Sequence, residues 1–199
     1  LSRLNSLVLE VEKFYSDYEP TQAARAIQSF VEEHLSNWYV RLSRRRFWKG
    51  EMTRDKMAAY QTLYECLEKV SQLMAPIAPF FADWLFKNLN DVTGRLDTDS
   101  VHLTDYPEVD LSVIDKSLEQ RMEYAQAISS LALSIRKKEK IRVRQPLQKI
   151  MLPILDKDFI HQVDAVKDLI LSEINVKEIE YITEDSGIIK KRAKPNFKT

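Results

Sequence analysis

An apolar stripe at helical spacing, formed by Ala24, Ile27, Val31, Leu35, Trp38 and Leu42, constrains this chain more than any other feature. At about 100° per residue these positions share one face over roughly five turns, and a helix with such a face must bury it against neighbours. The stripe runs into NWYVRLSRRRFW, Asn37–Trp48, where Arg45 and Arg46 straddle the position at which it should continue. The helix is therefore expected to leave the core there and to exchange its buried seam for a basic end. Arg41, Arg44 and Trp48, at i, i+3 and i+7, would share one flank of a continuous helix and could meet a single ligand.

The same period recurs along the chain. A first helix is expected from about Leu4 to Tyr18, with Leu4, Val8, Val11, Tyr15 and Tyr18 on one face. Pro20 suits the first turn of the second helix, and Gly50 its stop. Thr53 reads as the N-cap of a third, with the stripe Tyr60, Leu63, Leu67, Val70 and Met74. Cys66 lies beside that stripe as a small core residue. After Pro76 and Pro79, a fourth helix carries Phe80, Trp84 and Leu85 to about Asn90, its aromatics read as core. With only three glycines in 199 residues, turn-rich β structure is disfavoured. The fold class is mainly α: an antiparallel helix bundle with a small C-terminal α/β appendage.

Periodicity stops from Asp91 to Asp110, an acidic loop of about twenty residues, which is uncommon without a role. Ser112 with Asp115 makes a capping box for a fifth helix, with the stripe Leu118, Met122, Ala125, Ile128, Ala132 and Ile135, expected to lie back along the bundle. KIMLPIL, Lys149–Leu155, reads as a strand that Pro153 confines to an edge. A short helix with Phe159, Val163, Val166 and Ile170 follows, and then VKEIEYI as a second strand, parallel to the first with a right-handed crossover. The expected domains are residues 1–146, the bundle, and 147–199, the appendage with a basic tail.

Net charge is zero, 30 basic against 30 acidic residues, but the charges are segregated. Five cations and no acid lie in Arg41–Lys49, six cations against one acid in Arg136–Arg144, and five against none in Lys190–Lys198. Segregation can give a basic face to a neutral chain. For any single arginine the simpler reading is a helix end pairing with its carbonyls and nearby carboxylates. For the cluster RNA is favoured, because guanidinium grips phosphate and rings stack on unpaired bases. Dipole effects account for Arg136–Lys138, but not for Arg142 and Arg144, two apart in an extended segment and so pointing the same way. His34, His102 and His161 have no neighbouring ligand at metal spacing. A lone cysteine rules out an internal disulfide, and no apolar run approaches a membrane span. Both ends read as cut from a larger, cytoplasmic protein.

WYVRLSRRRFW resembles the signature of the anticodon-binding domain of class I isoleucyl-tRNA synthetases, and MAPIAPFFADWLF, VHLTDYP and RVRQPL fit the same family. RVRQPL favours an isoleucyl over a valyl or leucyl domain. The resemblance implies a bundle that holds the anticodon stem, with isoleucine tRNA and the catalytic domain of the same protein as partners and no membrane. It implies ATP in the parent enzyme and no cofactor here. The family's His-Ile-Gly-His and Lys-Met-Ser-Lys-Ser signatures do not occur in this sequence, so no catalytic residue is assigned. The expected tRNA-binding residues are Arg41, Arg44, Arg45, Arg46, Trp48 and Lys49, followed by Arg142 and Arg144. The alternatives are a structural module whose arginine-rich end docks the catalytic body or another protein, since Arg and Trp also serve protein interfaces, and the equivalent domain of a valyl or leucyl enzyme.

Overall fold

The computed structural model describes residues 1–183, apart from Lys49 and the side chain of Lys157. The chain divides into two compact units, Leu1–Asp115 and Lys116–Thr199.

In the first unit, α1 (Ser2–Ser16) and α2 (Pro20–Ser29) are followed by a π-helical segment, Phe30–Val40, and by the short α3 (Arg44–Trp48). Two longer helices, α4 (Arg54–Met74) and α5 (Pro79–Thr93), complete the bundle. Pro20 opens α2 as expected, because a first-turn residue has no helical bond to lose. Thr53 caps α4, its Oγ1 accepting from the Lys56 amide at 3.2 Å. The core joins Leu4, Leu7, Val8 and Val11 of α1 to Ala23 and Ile27 of α2, Phe30 and Leu35 of the π segment, and Cys66, Val70 and Leu73 of α4.

Three expected faces are corrected. Tyr18 lies outside the core, 92% exposed. Tyr18 N–H bonds to Tyr15 O (3.2 Å) and Glu19 N–H to Phe14 O (2.8 Å), a helix closure that puts Tyr18 at φ 56 and turns it outward. On α4 the buried apolar positions are Ala59, Cys66, Val70 and Leu73, while Leu63, Leu67 and Met74 are half-buried and Tyr60 is exposed. The helix packs against α1, α2 and α5, so its apolar arc is wider than one stripe. On α5 the inward residues are Ala82 and Phe86, which meet Ala75 and Val101. Phe80, Phe81 and Trp84 face solvent at 90%, 53% and 60% exposure.

Gly94 ends α5 at φ 59, a left-handed position that glycine takes without a Cβ penalty. The chain after it is no loosely solvated loop. Val101 is buried, in a single 3₁₀ turn, Val101–Leu103. Asp83 accepts from Ser100 Oγ (2.7 Å) and from Val101 N–H (3.1 Å). Tyr106 donates to Val8 O at 3.0 Å, and Asn5 Oδ1 accepts from Asp110 N–H at 2.9 Å. These bonds strap the segment across the helices. The expected Ser112–Asp115 capping box does not form: Ser112 N–H and Oγ both bond to Asp110 Oδ1, closing a 3₁₀ turn, Leu111–Val113.

The second unit contains α6 (Lys116–Lys138), β1 (Leu147–Pro153), α7 (Lys157–Asp164), α8 (Lys167–Ile174) and β2 (Val176–Ile182). The strands pair in parallel, with Ile150 opposite Ile179 and Pro153, at the end of β1, opposite Ile182. The expected single helix between them is two, since Val166 N–H turns back to Val163 O at 3.1 Å. The unit boundary falls before α6 because α6 packs on α7 and α8. Its buried face is Ala125, Ile128, Ser129, Ala132 and Arg136; Leu118 and Ile135 are exposed.

Candidate nucleic-acid interface

The arginine-rich end is built from a change of helical register. Phe30 and Leu35, five residues apart, are both buried because the segment between them is π-helical. Trp38 is buried next, 8% exposed. At Ser43, itself buried, the chain tightens, with Arg46 N–H and Phe47 N–H both bonded to Ser43 O at 2.8 and 3.2 Å. The shared flank expected for Arg41, Arg44 and Trp48 assumes an unbroken α-helix, and the turn at Ser43, which falls between Arg41 and Arg44, breaks that count. All three residues are nonetheless exposed, Trp48 at 79%.

Phe47 anchors α3. Its ring meets Tyr39 edge-on at 6.4 Å and Tyr60 at 5.2 Å, and Tyr60 OH donates to Phe47 O at 3.1 Å. With Phe47 inward, Arg44, Arg45 and Trp48 project outward. Arg46 is half-buried and committed. Its Nε and Nη2 grip the two carboxylate oxygens of Asp55 at 2.8 and 2.7 Å, and Nη2 also bonds to Asp55 O at 3.0 Å. That hydrogen-bonded pair holds the guanidinium pKa above its usual value. Thus the local neutralisation that the sequence leaves out between His34 and Gly50 is supplied to Arg46 by the first turn of α4. Among the described residues no carboxylate pairs with Arg44 or Arg45. Arg41 Nε donates to Asn37 O at 2.8 Å, and its guanidinium lies 6.0 Å from the centre of the Trp38 ring. Lys49 lies outside the described residues, as does the basic stretch Lys190–Lys198.

Beside α3, an open groove of 690 Å³ runs over α4 to the end of α5, lined by Tyr60, Leu63, Tyr64, Leu67, Leu89 and Arg95 among others. Arg95 stacks over Tyr64 at 5.2 Å and pairs with Glu68 at 3.4 Å.

Arg142 and Arg144 belong to the second unit. The segment is not extended: Gln145 N–H bonds to Arg142 O at 3.0 Å, closing a turn, so strand alternation does not apply to this pair. Both side chains are exposed. Arg136, assigned by the sequence to dipole pairing at a helix end, is instead buried at 4% exposure, its guanidinium bonded to three backbone carbonyls. The available signal was its place four residues after Ala132, where either Ile135 or Arg136 could continue the buried face.

Among the described residues no group of three His, Cys, Asp or Glu side chains could hold a metal ion, and no helix is long and apolar enough to cross a membrane. The arrangement offers exposed guanidinium groups, an exposed indole and an aromatic groove, which are the parts used to grip phosphate and stack on bases.

Comparison with known proteins agrees with this chemistry. The family described as the anticodon-binding domain of tRNA ligase matches residues 1–151. An isoleucine–tRNA ligase of Cytophaga hutchinsonii is 58% identical over 100% of this chain, which spans 18% of that protein. Those of Bacteroides fragilis and Clostridium novyi are 53% and 39% identical over 100% and 99% of the chain, corresponding to 17% and 18% of their lengths. The chain thus spans less than a fifth of the curated relatives it matches.

Proposed function

This chain belongs to the family of anticodon-binding domains of tRNA ligases, and from that premise we propose that it is the tRNA-binding module of an isoleucine–tRNA ligase. On this reading it grips the anticodon stem-loop while a catalytic domain elsewhere in the same cytoplasmic protein uses ATP to charge the isoleucine acceptor. The observation that carries the reading is the outward display of Arg44, Arg45 and Trp48 by an α3 that Phe47 pins to the bundle. Arg41, Arg44 and Arg45 engage phosphates and release counterions, which makes affinity fall with salt. Trp48 and the neighbouring groove supply faces for unstacked bases. Arg46 acts chiefly by fastening α3 to α4 through Asp55, and Lys49 extends the basic run. Binding energy gained here positions the distant acceptor end, the proximity contribution that a remote binding module makes to catalysis.

The test is binding of the chain to isoleucine tRNA beside valine tRNA at two salt concentrations. Salt-sensitive binding that prefers isoleucine tRNA is the expected result; no binding even at low salt would sink the reading. Arg44→Ala should weaken binding across sequences and lower the salt slope by roughly one phosphate contact, with an unchanged slope removing Arg44 from the interface.

A second reading, docking against the catalytic body, is favoured by one observation: the exposed Phe80, Phe81 and Trp84 on α5. Aromatics of this kind are enriched at protein interfaces. The two readings are compatible, since α3 and α5 are separate elements.

A further inference from the structure

The segment after α6 is held from within by more polar contacts than a lead-in to a strand requires. Lys140, at φ 57, closes the helix, with its N–H bonded to Lys137 O (3.2 Å) and Ile141 N–H to Arg136 O (2.8 Å). The turn Arg142–Gln145 follows, and Pro146 leads into β1. Inside the turn, Arg136 Nη1 donates to Arg142 O at 3.1 Å and Gln145 O at 3.0 Å, and Nη2 donates to Asn175 O at 3.0 Å. From the other side, Asn175 Nδ2 donates to Val143 O at 2.9 Å, and Asn175 O accepts from Leu147 N–H at 3.2 Å. The carbonyls of Arg142, Val143 and Gln145 are therefore all drawn inward, and the side chains of Arg142 and Arg144 are left exposed.

Burying a guanidinium is costly unless its donors are satisfied. Here they are satisfied by backbone oxygens, and no carboxylate pairs with Arg136 among the described residues. The cation's charge is thus not cancelled by a side-chain counter-ion beneath a turn that carries two further arginines. Arg142 and Arg144 likewise have no carboxylate partner among the described residues. A fixed, cation-backed loop with two free guanidinium groups has the chemistry of a polyphosphate site, because pre-set geometry reduces the ordering cost of binding.

We propose that the Arg142–Gln145 turn is a preorganised grip for consecutive phosphates of an RNA backbone, and that Arg136 and Asn175 are its positioning residues. The proposal rests on the tRNA-binding reading above and extends it to a second, separately built contact in the α/β unit. Arg136 acts through the turn's backbone rather than by touching RNA, and Asn175 fixes the same turn at Val143.

The test is a salt series of isoleucine-tRNA binding to the full chain. The double variant Arg142→Ala/Arg144→Ala should flatten the slope by about two phosphate contacts. Arg136→Gln should flatten it comparably, and adding it to the double variant should change the slope no further. Arg136→Lys keeps the charge but cannot span three carbonyls, and should not rescue. Asn175→Gly preserves the left-handed backbone and removes only the bond to Val143, so it keeps the fold even if Arg136→Gln does not. It should weaken binding at low salt with an unchanged thermal midpoint. An unchanged slope in the double variant, rescue by Arg136→Lys, or wild-type binding in folded Asn175→Gly would each overturn the grip. Absence of salt-sensitive binding by the wild-type chain would instead overturn the underlying reading.

Discussion

Asp83 sets the acid limit of the strap in the first unit. Its carboxylate bonds to Lys87 at 2.7 Å, to Ser100 Oγ at 2.7 Å and to Val101 N–H at 3.1 Å, and these partners hold its pKa down to about 2. The folded value lies below the ordinary carboxylate value, so the stabilisation is fully present above about pH 4 and is lost as pH falls towards 2. The thermal midpoint of the wild-type chain should therefore fall more steeply between pH 4 and 2 than that of Asp83→Asn, with the two curves converging at the acid end. Parallel curves would show that the strap does not depend on this carboxylate. Cys66 behaves in the opposite way. Burial pushes its thiol up to about 11, so the native state disfavours the thiolate that reacts. Labelling by a disulfide reagent at pH 8 should be slow and should track unfolding; rapid native labelling would contradict the burial. The core role of Cys66 was legible from its place beside an apolar stripe, as was the arginine run. That Arg46 pairs with Asp55 was not, because the partner lies nine residues on, across a turn that only the packing of Phe47 on Tyr60 fixes.

Helices α1, α2, α4 and α5 were legible as elements because each repeats apolar residues at 3.6 spacing between breakers such as Pro20, Gly50 and Pro79. Their faces were less so. PFFADWLF is apolar nearly all round, and such a sequence has no unique stripe; contact with Ala75 and Val101 selects Ala82 and Phe86. This selection has a measurable consequence. Phe86→Ala should cost about 3–5 kcal/mol of stability through lost contacts and a cavity. Phe80→Ser and Trp84→Ser, on the exposed face, should each change stability by no more than about 0.5 kcal/mol. Denaturant titration distinguishes the two classes, and a large loss at Phe80 would place that side in the core. The π segment was hidden for a related reason. A stripe through Val31 and Leu35 reads as α-helical, whereas the residues most deeply buried on this stretch, Phe30 and Leu35, are five apart. The extra residue changes where Arg41 and Arg44 emerge, so the register of the basic end is set in the eleven residues just before it, Phe30–Val40.

At the scale of the whole chain, the strand–helix–strand order and its parallel pairing were legible, since alternation in VKEIEYI contrasts with the helical period before it. The boundary expected after residue 146 stands beside a division into compact units after Asp115. The buried face of α6 is made of small residues, Ala125, Ser129 and Ala132, with Ile128 and the concealed Arg136, a weak stripe that does not announce which neighbours it meets. The family match reaches residue 151 and so includes α6, whereas the compact units divide after Asp115; shared ancestry and local packing thus mark different borders. A truncation separates their consequences. Residues 1–115 contain two core clusters that share Met74 as a flanking side chain, the strap and α3, and should unfold in a single cooperative transition without the rest. If tRNA is gripped both by α3 and by the Arg142–Gln145 turn, this piece should still bind with salt sensitivity. Its slope should be lower than that of the full chain by about the two contacts assigned to Arg142 and Arg144. A slope equal to that of the full chain would confine the interface to the first unit, and failure of the piece to fold would show that its stability depends on residues beyond Asp115.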